Sequence, residues 1–444
     1  MKTKLERIAE ISRNNENEKF NNIIHLINPE LLMQCHKDMP TNKATGVDKV
    51  DKQQYEVNLE ENINNLWERL KRFGYKPQPV RRTYIPKATS NKLRPLGIPA
   101  YEDRIVQSAM AKILTAIYEP IFMEFSYGFR VQRGCHQALG ALTYILENKP
   151  IRYVVDADIK GFFDNVSHQW LIKFVEHKVT DKNFIRLLKR VIKAPVWEND
   201  KLIYSEKGTP QGGLISPVLA NIYLHYVLDL WFEKKVKNEC KGSAHMVRYA
   251  DDFVCCFENK NEAQEFYIKL KERLGKFDLE LAEDKFKIIT FGKYADKDTK
   301  KLEGKKPDTF DFLGFTHYCS KSRDKKRFRV KRTTSKKKKQ SSCLKIKQWI
   351  IRNRHESPKW IFKKLNEKLV GYYNYYGITD NGRAIQKMRH HVIRTLFKEL
   401  RRRSNRHRLT WKSFEKMITE FPLKKALIKV NIYNVISKLA IEKL

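Results

Sequence analysis

The chain has 444 residues and a formal net charge of +38. This length exceeds what one hydrophobic core usually organises, so two or three domains are expected. The charge exceeds what solubility requires and indicates a polyanionic partner, most simply nucleic acid. Residues 321–444 hold 37 Lys and Arg against 8 Asp and Glu, which leaves +9 for residues 1–320. A merely solvated basic face fits poorly with an excess this large, so we expect the C-terminal quarter to bind the partner most strongly.

Cysteine spacing and hydropathy exclude several other classes of protein. The seven cysteines show no C-x-x-C spacing, which argues against a structural zinc site and predicts thiols in a reducing cytosol. The N-terminus is too charged for a signal peptide, and no stretch approaches 18 uninterrupted apolar residues. The sequence therefore predicts a soluble cytoplasmic protein with no membrane partner.

Apolar spacing predicts the secondary structure in chain order. Residues 1–80 have a mainly helical pattern that is broken at Gly74. A polar loop at 88–92 joins two predicted strands, a helix is predicted over 102–119, and residues 150–320 alternate β-type and helical runs as in an α+β unit. The apolar stripes of the two helical regions contain Leu59, Ile63, Leu66 and Leu70, and Ile105, Ala109, Ile113 and Ile117.

The C-terminal part has a different pattern. Residues 331–339 are basic with almost no apolar content, which predicts a boundary or a mobile loop. Beyond them two apolar stripes indicate helices whose other faces are basic. The stripes contain Ile361, Leu365, Leu369, Tyr372 and Tyr376, and Ile385, Met388, Val392, Leu396 and Leu400.

Two adjacent carboxylates, Asp251 and Asp252, lie between apolar runs at the tip of a predicted β-hairpin. Neighbouring acids cannot both stay ionised without a counter-charge, so this pair indicates a divalent cation. Asp158, at the end of a β-branched run, is the expected third carboxylate. Mg²⁺ prefers such oxygen ligands, and two ions about 3.5–4 Å apart would clamp an in-line phosphoryl displacement.

The assignment of these acids has open alternatives. An Asp-rich surface turn would also explain residues 249–252, because Asp is common in turns. Asp156 and Asp164 compete with Asp158 for the third position. Asp156 would share a strand face with Asp158, so alternation alone does not decide between them.

Eight short blocks carry a resemblance to a known family. Their positions are 45–48 (TGVD), 85–87 (IPK) with 94–99 (RPLGIP), 127–130 (YGFR), 155–158 (VDAD) with 162–164 (FFD), 208–217 (GTPQGGLISP), 249–252 (YADD), 283–285 (EDK) and 312–315 (FLGF). In this order and spacing they resemble the group II intron reverse transcriptases, the maturase type encoded within bacterial mobile introns. Residues 371–376 (GYYNYY) resemble the family's maturase segment, domain X, although core packing is expected for at least two of its tyrosines.

The resemblance implies a fold and a domain order. The fold class is α+β: a right-hand polymerase with fingers and palm, in which an antiparallel palm sheet is combined with helices, followed by a basic α-helical thumb. The implied domains are an N-terminal extension with the start of the fingers (1–80), fingers and palm (81–320), thumb or domain X (321–400), and a basic tail similar to a DNA-binding extension (401–444). Some relatives end in an endonuclease domain with paired cysteines. Because this sequence has no such cysteine pairs, we expect that domain to be absent.

The resemblance also implies roles for particular residues. Asp158 and Asp251 would hold two Mg²⁺ ions, for which Mn²⁺ could substitute, with help from Asp252 and the backbone carbonyl of Ile159. Phe163 would exclude a 2′-hydroxyl and so select deoxynucleotides. The other implied nucleotide-binding residues are Lys87 and Arg94, which would contact the triphosphate, Gln211 at the incoming nucleotide, and Lys285, a candidate proton donor to pyrophosphate. The alternative for Lys87, Arg94 and Lys285 is an ordinary solvated side chain that binds no ligand.

The implied function is RNA-directed DNA synthesis combined with maturase activity in splicing and retrohoming. The implied partners are an RNA template with a DNA primer, dNTPs, intron RNA and target DNA, with the choice between monomer and dimer open. The alternatives are a domesticated reverse transcriptase in phage defence or beside a CRISPR system, and an RNA-binding splicing cofactor that does not polymerise. The intact acids argue against the last, and Phe163 disfavours an RNA-dependent RNA polymerase.

Overall fold

The structure, a computed structural model, describes residues 2–86, 93–208, 212–295, 307–322, 324–403 and 409–439. Its longer helices are Lys2–Asn14, Pro29–Asp38, Leu59–Lys71, Tyr101–Tyr118, Cys135–Asn148, His168–Glu176, Lys182–Ile192, Ser216–Leu224, Lys260–Gly275, Lys336–Asn353, Pro358–Tyr376, Gly382–Arg401 and Trp411–Glu420. Shorter helices are Lys52–Glu56, Phe162–Asn165, Lys237–Glu239 and Ile432–Ile436, with a 3₁₀ turn at Ile24–Leu26 and π-helical turns at His225–Asp229 and Phe232–Val236.

Eleven strands of the described residues form three sheets. They are β1 (Val80–Pro86), β2 (Leu93–Ile98), β3 (Tyr153–Asp158), β4 (Val196–Glu198), β5 (Lys201–Ile203), β6 (Ala244–Tyr249), β7 (Asp252–Phe257), β8 (Lys287–Thr290), β9 (Phe310–Phe312), β10 (Phe315–Lys321) and β11 (Phe328–Thr334). The first sheet has the order β2-β1-β4-β5, the second β6-β7-β3-β8 and the third β11-β10-β9. All pairings are antiparallel except β1 with β4. The predicted α+β class is confirmed as a mixed helix and sheet fold.

The main core lies between the second sheet and helices that precede this sheet in sequence or lie between its strands. The helix Tyr101–Tyr118 lies at its centre, and the predicted stripe of this helix is fully buried. The stripe of Leu59–Lys71 packs into the same core, and this helix ends shortly before Gly74, as predicted. Both faces of β3 and β7 are largely buried, because a second apolar cluster covers the face that carries Val154, Val254 and Cys256. The second sheet is therefore a rigid support for whatever its strand ends carry.

The predicted boundary or loop at 331–339 is wrong. Strand β11 runs through Thr334, and a helix begins at Lys336. Arg332 points inward and is fully buried, with a hydrogen bond from its guanidinium to the Thr143 hydroxyl (2.9 Å). The strand was missed because the inward side chains at 332 and 334 are polar, so the sequence shows no apolar alternation.

The two predicted C-terminal helices are confirmed. Their stripe residues are buried apart from Tyr376, which is half-buried, and they form one cluster with helices Lys336–Asn353 and Trp411–Glu420. Phe414 is fully buried in this cluster, so the start of the basic tail belongs to the same helical unit. Farther on, Ile432–Ile436 packs against Gly140 of the helix Cys135–Asn148. All seven cysteines are free thiols. In the described segments, no helix is both long enough and apolar enough to cross a membrane.

Asn381 joins the helical unit to the third sheet and supplies a test of the fold. Its buried side chain accepts a hydrogen bond from the Thr334 backbone N–H (2.8 Å) and donates to the Tyr376 carbonyl (2.8 Å). We expect Asn381→Ala to lower the free energy of unfolding by about 2 kcal/mol, because the buried Thr334 N–H loses its partner and the Tyr376 carbonyl loses one of its donors. Urea denaturation would measure this. The exposed Asn148→Ala is the control, and an equal loss in both variants would contradict the role of Asn381.

Candidate active site

Three carboxylates lie on one face of the second sheet, and a fourth lies beside them in a turn. Asp158 on β3 is directly opposite Asp252 on β7. Residues opposite each other in a sheet have Cβ atoms about 4.5–5.5 Å apart and share a face. Asp156 lies two positions before Asp158 and shares this face, as predicted. The hairpin is also confirmed: β6 and β7 pair antiparallel, and Ala250 and Asp251 form the turn.

The pKa values of these carboxyl groups record their crowding. Burial, followed by the negative charges of Asp156, Asp158 and Asp251, raises the pKa of Asp252 to about 7. Burial and Asp158 raise the pKa of Asp156 to about 6. Burial also raises the pKa of Asp251, and Arg94 is among the cations that oppose this rise. The cluster thus holds more negative charge than its neighbours neutralise, which is the electrostatic condition for binding a proton or a cation.

Lys285 supplies a positive charge to Asp158. Its ammonium group forms a salt bridge with the Asp158 carboxylate, and this hydrogen bond raises the pKa of Lys285. Both side chains are partly exposed, so the pair is open to exchange with other charged groups. The predicted nucleotide-binding lysine therefore lies beside the predicted catalytic acid.

The backbone carbonyl of Ile159 points towards the side of the hairpin turn. Ile159 forms a β-bridge with Leu281, but the bonds of that bridge use the Asp158 carbonyl with Ala282 N–H (2.8 Å) and Lys160 N–H with the Glu280 carbonyl (2.9 Å). Successive carbonyls of a strand point to opposite edges. The Ile159 carbonyl therefore points away from Leu281, towards the side where β7 and its turn lie.

The donor chemistry fits a divalent metal, although the side chains are not arranged as a closed metal site. Within the described ranges, no group of three or more His, Cys, Asp or Glu side chains could hold a metal ion. The facing carboxylates nevertheless offer only oxygen donors, which hard divalent cations prefer. Their raised pKa values show uncompensated negative charge, and Asp158 is paired with an exchangeable ammonium group.

A buried ion pair supports the hairpin turn. Arg248 and Asp229 are both fully buried and joined at two points, one of them a 2.7 Å bond from Nε to Oδ1. The guanidinium also donates to the Asn221 side-chain oxygen (3.1 Å) and to the Ala250 carbonyl (2.9 Å). Ala250 has a positive φ of 59°, which is uncommon for a residue with a side chain. The ion pair thus fixes the residue that immediately precedes Asp251.

A glycine lets the 127–130 segment pack directly against this turn. A Cβ on Gly128 would lie 2.2 Å from the Ala250 nitrogen, so only glycine fits. The Gly128 carbonyl accepts a hydrogen bond from Asn221 (2.8 Å), and Tyr127 N–H donates to the Arg248 carbonyl (2.8 Å). Two blocks far apart in sequence are therefore parts of one structure around the acids.

A cleft of about 320 Å³ lies between the first sheet and the segments near Phe163. Asp164 lines this cleft instead of joining the acid cluster. Phe163 is half-buried and packs edge-on against Phe162 with ring centroids 5.3 Å apart. Two glycines shape the cleft: a Cβ on Gly208 would lie 3.0 Å from the Asp164 carbonyl oxygen, and one on Gly212 would lie 2.6 Å from the Gly97 carbonyl oxygen.

The remaining predicted nucleotide-binding residues have different outcomes. Arg94 is exposed on β2 and lies within electrostatic reach of Asp251. Lys87 and Gln211 lie outside the described residues. Gly208 and Gly212, which flank the segment that contains Gln211, both lie against the cleft.

Sequence analysis missed the residues that support the acids. Arg248 could have been found from the sequence, because it is a charged residue inside an apolar strand. Asp229 and Asn221 could not, since each lies in a helical segment with ordinary polar neighbours. The backbone of Leu313 opposes the rise in the pKa of Asp252, and the negative charge of Asp311 adds to the rise in the pKa of Asp156.

Fold and site together define an α+β protein whose acids are carried by a hairpin and a neighbouring strand. Residues 85–317 match the model of the reverse transcriptase (RNA-dependent DNA polymerase) family, and residues 339–417 match the group II intron maturase-specific domain. The chain therefore belongs to the reverse transcriptase family and carries a group II intron maturase domain. The family in general implies dependence on a divalent metal.

Similar curated proteins agree with this family. The group II intron-encoded protein LtrA of Lactococcus lactis is 34% identical over 322 residues, which cover 68% of this chain and 52% of LtrA. Protein YkfC of Escherichia coli is 35% identical over 258 residues, 51% of this chain and 67% of YkfC. A 91 kDa protein in the cob intron of Schizosaccharomyces pombe is 37% identical over 180 residues, 40% of this chain and 22% of that protein. The chain thus spans about half the length of LtrA.

The raised pKa of Asp252 predicts a pH-dependent change in stability. This carboxyl favours its neutral form in the folded state, so its stabilising contribution is present below pH 4 and is lost as the pH rises to about 7. We expect Asp252→Asn to raise the Tm of the metal-free protein by about 2 °C or more at pH 8 and to change it little at pH 4.5. The exposed Asp284→Asn is the control. An equal Tm change at both pH values would contradict the inference that burial and the neighbouring carboxylates raise the pKa of Asp252.

Proposed function

We propose that this protein is an RNA-directed DNA polymerase that also binds intron RNA as a maturase. The observation that carries the proposal is the direct opposition of Asp158 and Asp252 on adjacent strands, with Asp251 in the adjoining turn. The reaction class follows from family membership, and the acids are the proposed site of this reaction. In this interpretation the first sheet belongs to the fingers, the second sheet is the palm, and the helices from 336 to 401 form a basic thumb.

Asp158, Asp251 and the Ile159 carbonyl are the proposed ligands of two Mg²⁺ ions, with Asp252 assisting. When bound, such ions activate the primer 3′-hydroxyl and neutralise the leaving pyrophosphate. Mn²⁺ is a proposed substitute. Arg248 and Asp229 hold the turn so that Asp251 keeps its direction.

The residues around the acids bind and orient the incoming dNTP in this proposal. Arg94 and Lys87 neutralise the triphosphate, and Gln211 contacts the nucleotide. Lys285, paired with Asp158 in the free protein, is released to the pyrophosphate as it forms. The half-buried Phe163 directly precedes Asp164, which lines the cleft, and in this proposal its ring excludes a 2′-hydroxyl by steric contact.

A basic groove of about 620 Å³ supports binding of nucleic acid by the helical unit. It lies between helices Lys336–Asn353 and Gly382–Arg401. Its lining includes Lys339, Arg383, Lys387, His390, His391 and Arg394. We propose that this unit holds the template and primer duplex and the intron RNA, and that the basic tail contacts target DNA. The tyrosines of 371–376 pack instead in the apolar clusters, as expected for at least two of them.

Replacement of Asp251 tests the catalytic assignment. We expect Asp251→Ala to abolish primer extension on an RNA template, because a ligand of both ions is lost, while binding of intron RNA stays close to that of the wild type. A primer-extension assay with dNTPs and a filter-binding assay measure the two. Asp324→Ala, which replaces an exposed acid in the turn between β10 and β11, is the control. Extension that persists in Asp251→Ala would remove this residue from the site.

Replacement of Phe163 tests substrate selection. We expect Phe163→Ala to increase incorporation of NTPs relative to dNTPs by roughly tenfold or more, since the steric barrier to the 2′-hydroxyl is lost. Phe163→Tyr keeps the ring and should retain the selection. The ratio of kcat/KM for dNTP and NTP is the measurement, and an unchanged ratio in the alanine variant would assign Phe163 to the core alone.

A further inference from the structure

Two tryptophan side chains stack on each other at the surface of the helical unit. Trp349 lies in the last turn of the helix Lys336–Asn353, and Trp360 lies in the first turn of the helix Pro358–Tyr376. Their ring centroids are 5.8 Å apart and their planes meet at 17°. Trp349 packs against the apolar cluster of the unit, whereas Trp360 is 36% exposed. Because Trp349 covers one face of Trp360, the exposed area of Trp360 belongs to its edges and its second face.

The turn that joins the two helices is held by hydrogen bonds. The Ser357 hydroxyl accepts a hydrogen bond from the Trp360 N–H (3.4 Å) and so caps the second helix. The Arg403 guanidinium donates to the carbonyls of Arg354 and Glu356, which lie within the turn. The two rings therefore keep their relative position before any ligand binds, and such preorganisation lowers the entropic cost of binding.

Both helices are strongly basic. The helix Lys336–Asn353 contains seven Lys and Arg residues and no acid, and the helix Pro358–Tyr376 contains four Lys and one Glu. One of these lysines, Lys368, places its ammonium group 4.9 Å from the ring centroid of Trp349. A surface with this charge favours a polyanionic partner.

Several of these cations lie beside the stacked rings. Residues three or four positions apart on a helix are neighbours on its surface. The exposed side chains of Lys345 and Arg352 therefore flank Trp349, and the exposed side chain of Lys363 lies next to Trp360. The pair thus offers an aromatic surface between positive charges, which is the arrangement that binds a base together with the phosphates on either side of it.

We propose that Trp360, supported by Trp349, is a stacking platform for an unpaired base of RNA, and that the cations beside the pair bind the adjacent phosphates. A base inside a duplex has both faces covered, so the platform selects unpaired nucleotides. Both tryptophans lie within the maturase-specific match, which favours RNA as the polyanion. The inference rests on the RNA binding in the proposed function and adds that unpaired nucleotides are a ligand of this surface.

The first experiment measures binding of two RNA probes to the full chain by fluorescence anisotropy. One probe is a short labelled single-stranded RNA without self-complementarity, and the other is the blunt duplex of the same sequence. We expect Trp360→Leu to weaken binding of the single strand about tenfold, which corresponds to the loss of one stacked base, and to leave binding of the duplex unchanged. Unchanged binding of the single strand, or an equal loss for both probes, would overturn the proposal.

The chain offers a matched control for this substitution. Trp197, on β4 of the first sheet, is 37% exposed, so Trp197→Leu removes an equally exposed indole from outside the helical unit. This variant should bind the single strand as the wild type does. Trp360→Phe keeps an aromatic ring and should retain most of the affinity. If Trp197→Leu lost as much affinity as Trp360→Leu, or if Trp360→Phe were no better than Trp360→Leu, the platform would be refuted.

A second experiment separates stacking from charge by the salt dependence of binding. Stacking releases no counterions, so Trp360→Leu should lower the affinity for the single strand by the same factor at every salt concentration. Lys363→Ala should instead reduce the slope of log K against log salt by about 0.7, the value for one phosphate contact with a single strand. A reduced slope in Trp360→Leu would show that this residue acts through charge and would overturn the stacking role. An unchanged slope in Lys363→Ala would overturn the phosphate contact.

The outcomes also distinguish this inference from the proposed function. A wild-type protein that binds neither the single-stranded RNA nor the duplex would defeat the proposed RNA binding itself. A wild-type protein that binds both probes, while Trp360→Leu is indistinguishable from Trp197→Leu, would defeat the platform alone.

Discussion

The buried pair of Arg248 and Asp229 is the interaction on which the site depends. A buried charge is tolerated only when it is paired and hydrogen-bonded, and removal of one partner typically costs about 3–5 kcal/mol. Here the contacts of the Arg248 guanidinium support the hairpin. It forms an ion pair with Asp229, and it donates hydrogen bonds to the side-chain oxygen of Asn221 and to the carbonyl of Ala250. Asp229 ends a π-helical turn, a distortion that often marks functional sites. Burial, followed by the positive charge of Arg248, lowers the pKa of His225 to about 3.

The carboxylate cluster differs from this ion pair. In the pair each charge is neutralised by its partner, whereas in the cluster negative charge remains in excess. Asp252 is half-buried among other carboxylates, and burial followed by their negative charges raises its pKa. Lys285, which pairs with Asp158, is mostly exposed. The folded protein therefore tolerates repulsion that a purely structural site would avoid, which is the usual sign of a site built for a ligand.

Sequence patterns predicted the helices well and the third sheet poorly. The stripes at Ile105–Ile117 and Ile385–Leu400 are buried because helical periodicity places their apolar residues on one face. Strand β11 was missed because its inward positions are Arg332 and Thr334, whose partners Thr143 and Asn381 come from distant segments. Apolar alternation is a reliable signal only when the buried side chains are apolar.

The sequence by itself determined the family, the basic C-terminal helices and the acids themselves, because local motifs and periodic apolar residues are contained in short stretches of chain. Only the tertiary structure decided that Asp158 lies opposite Asp252, that Asp164 lies elsewhere, and that Lys285 pairs with Asp158. It also decided that Arg248 and Gly128 support the turn and its acids. Most of these relations join segments that are far apart in the sequence, and strand register and close backbone packing, which no local pattern encodes, bring them together.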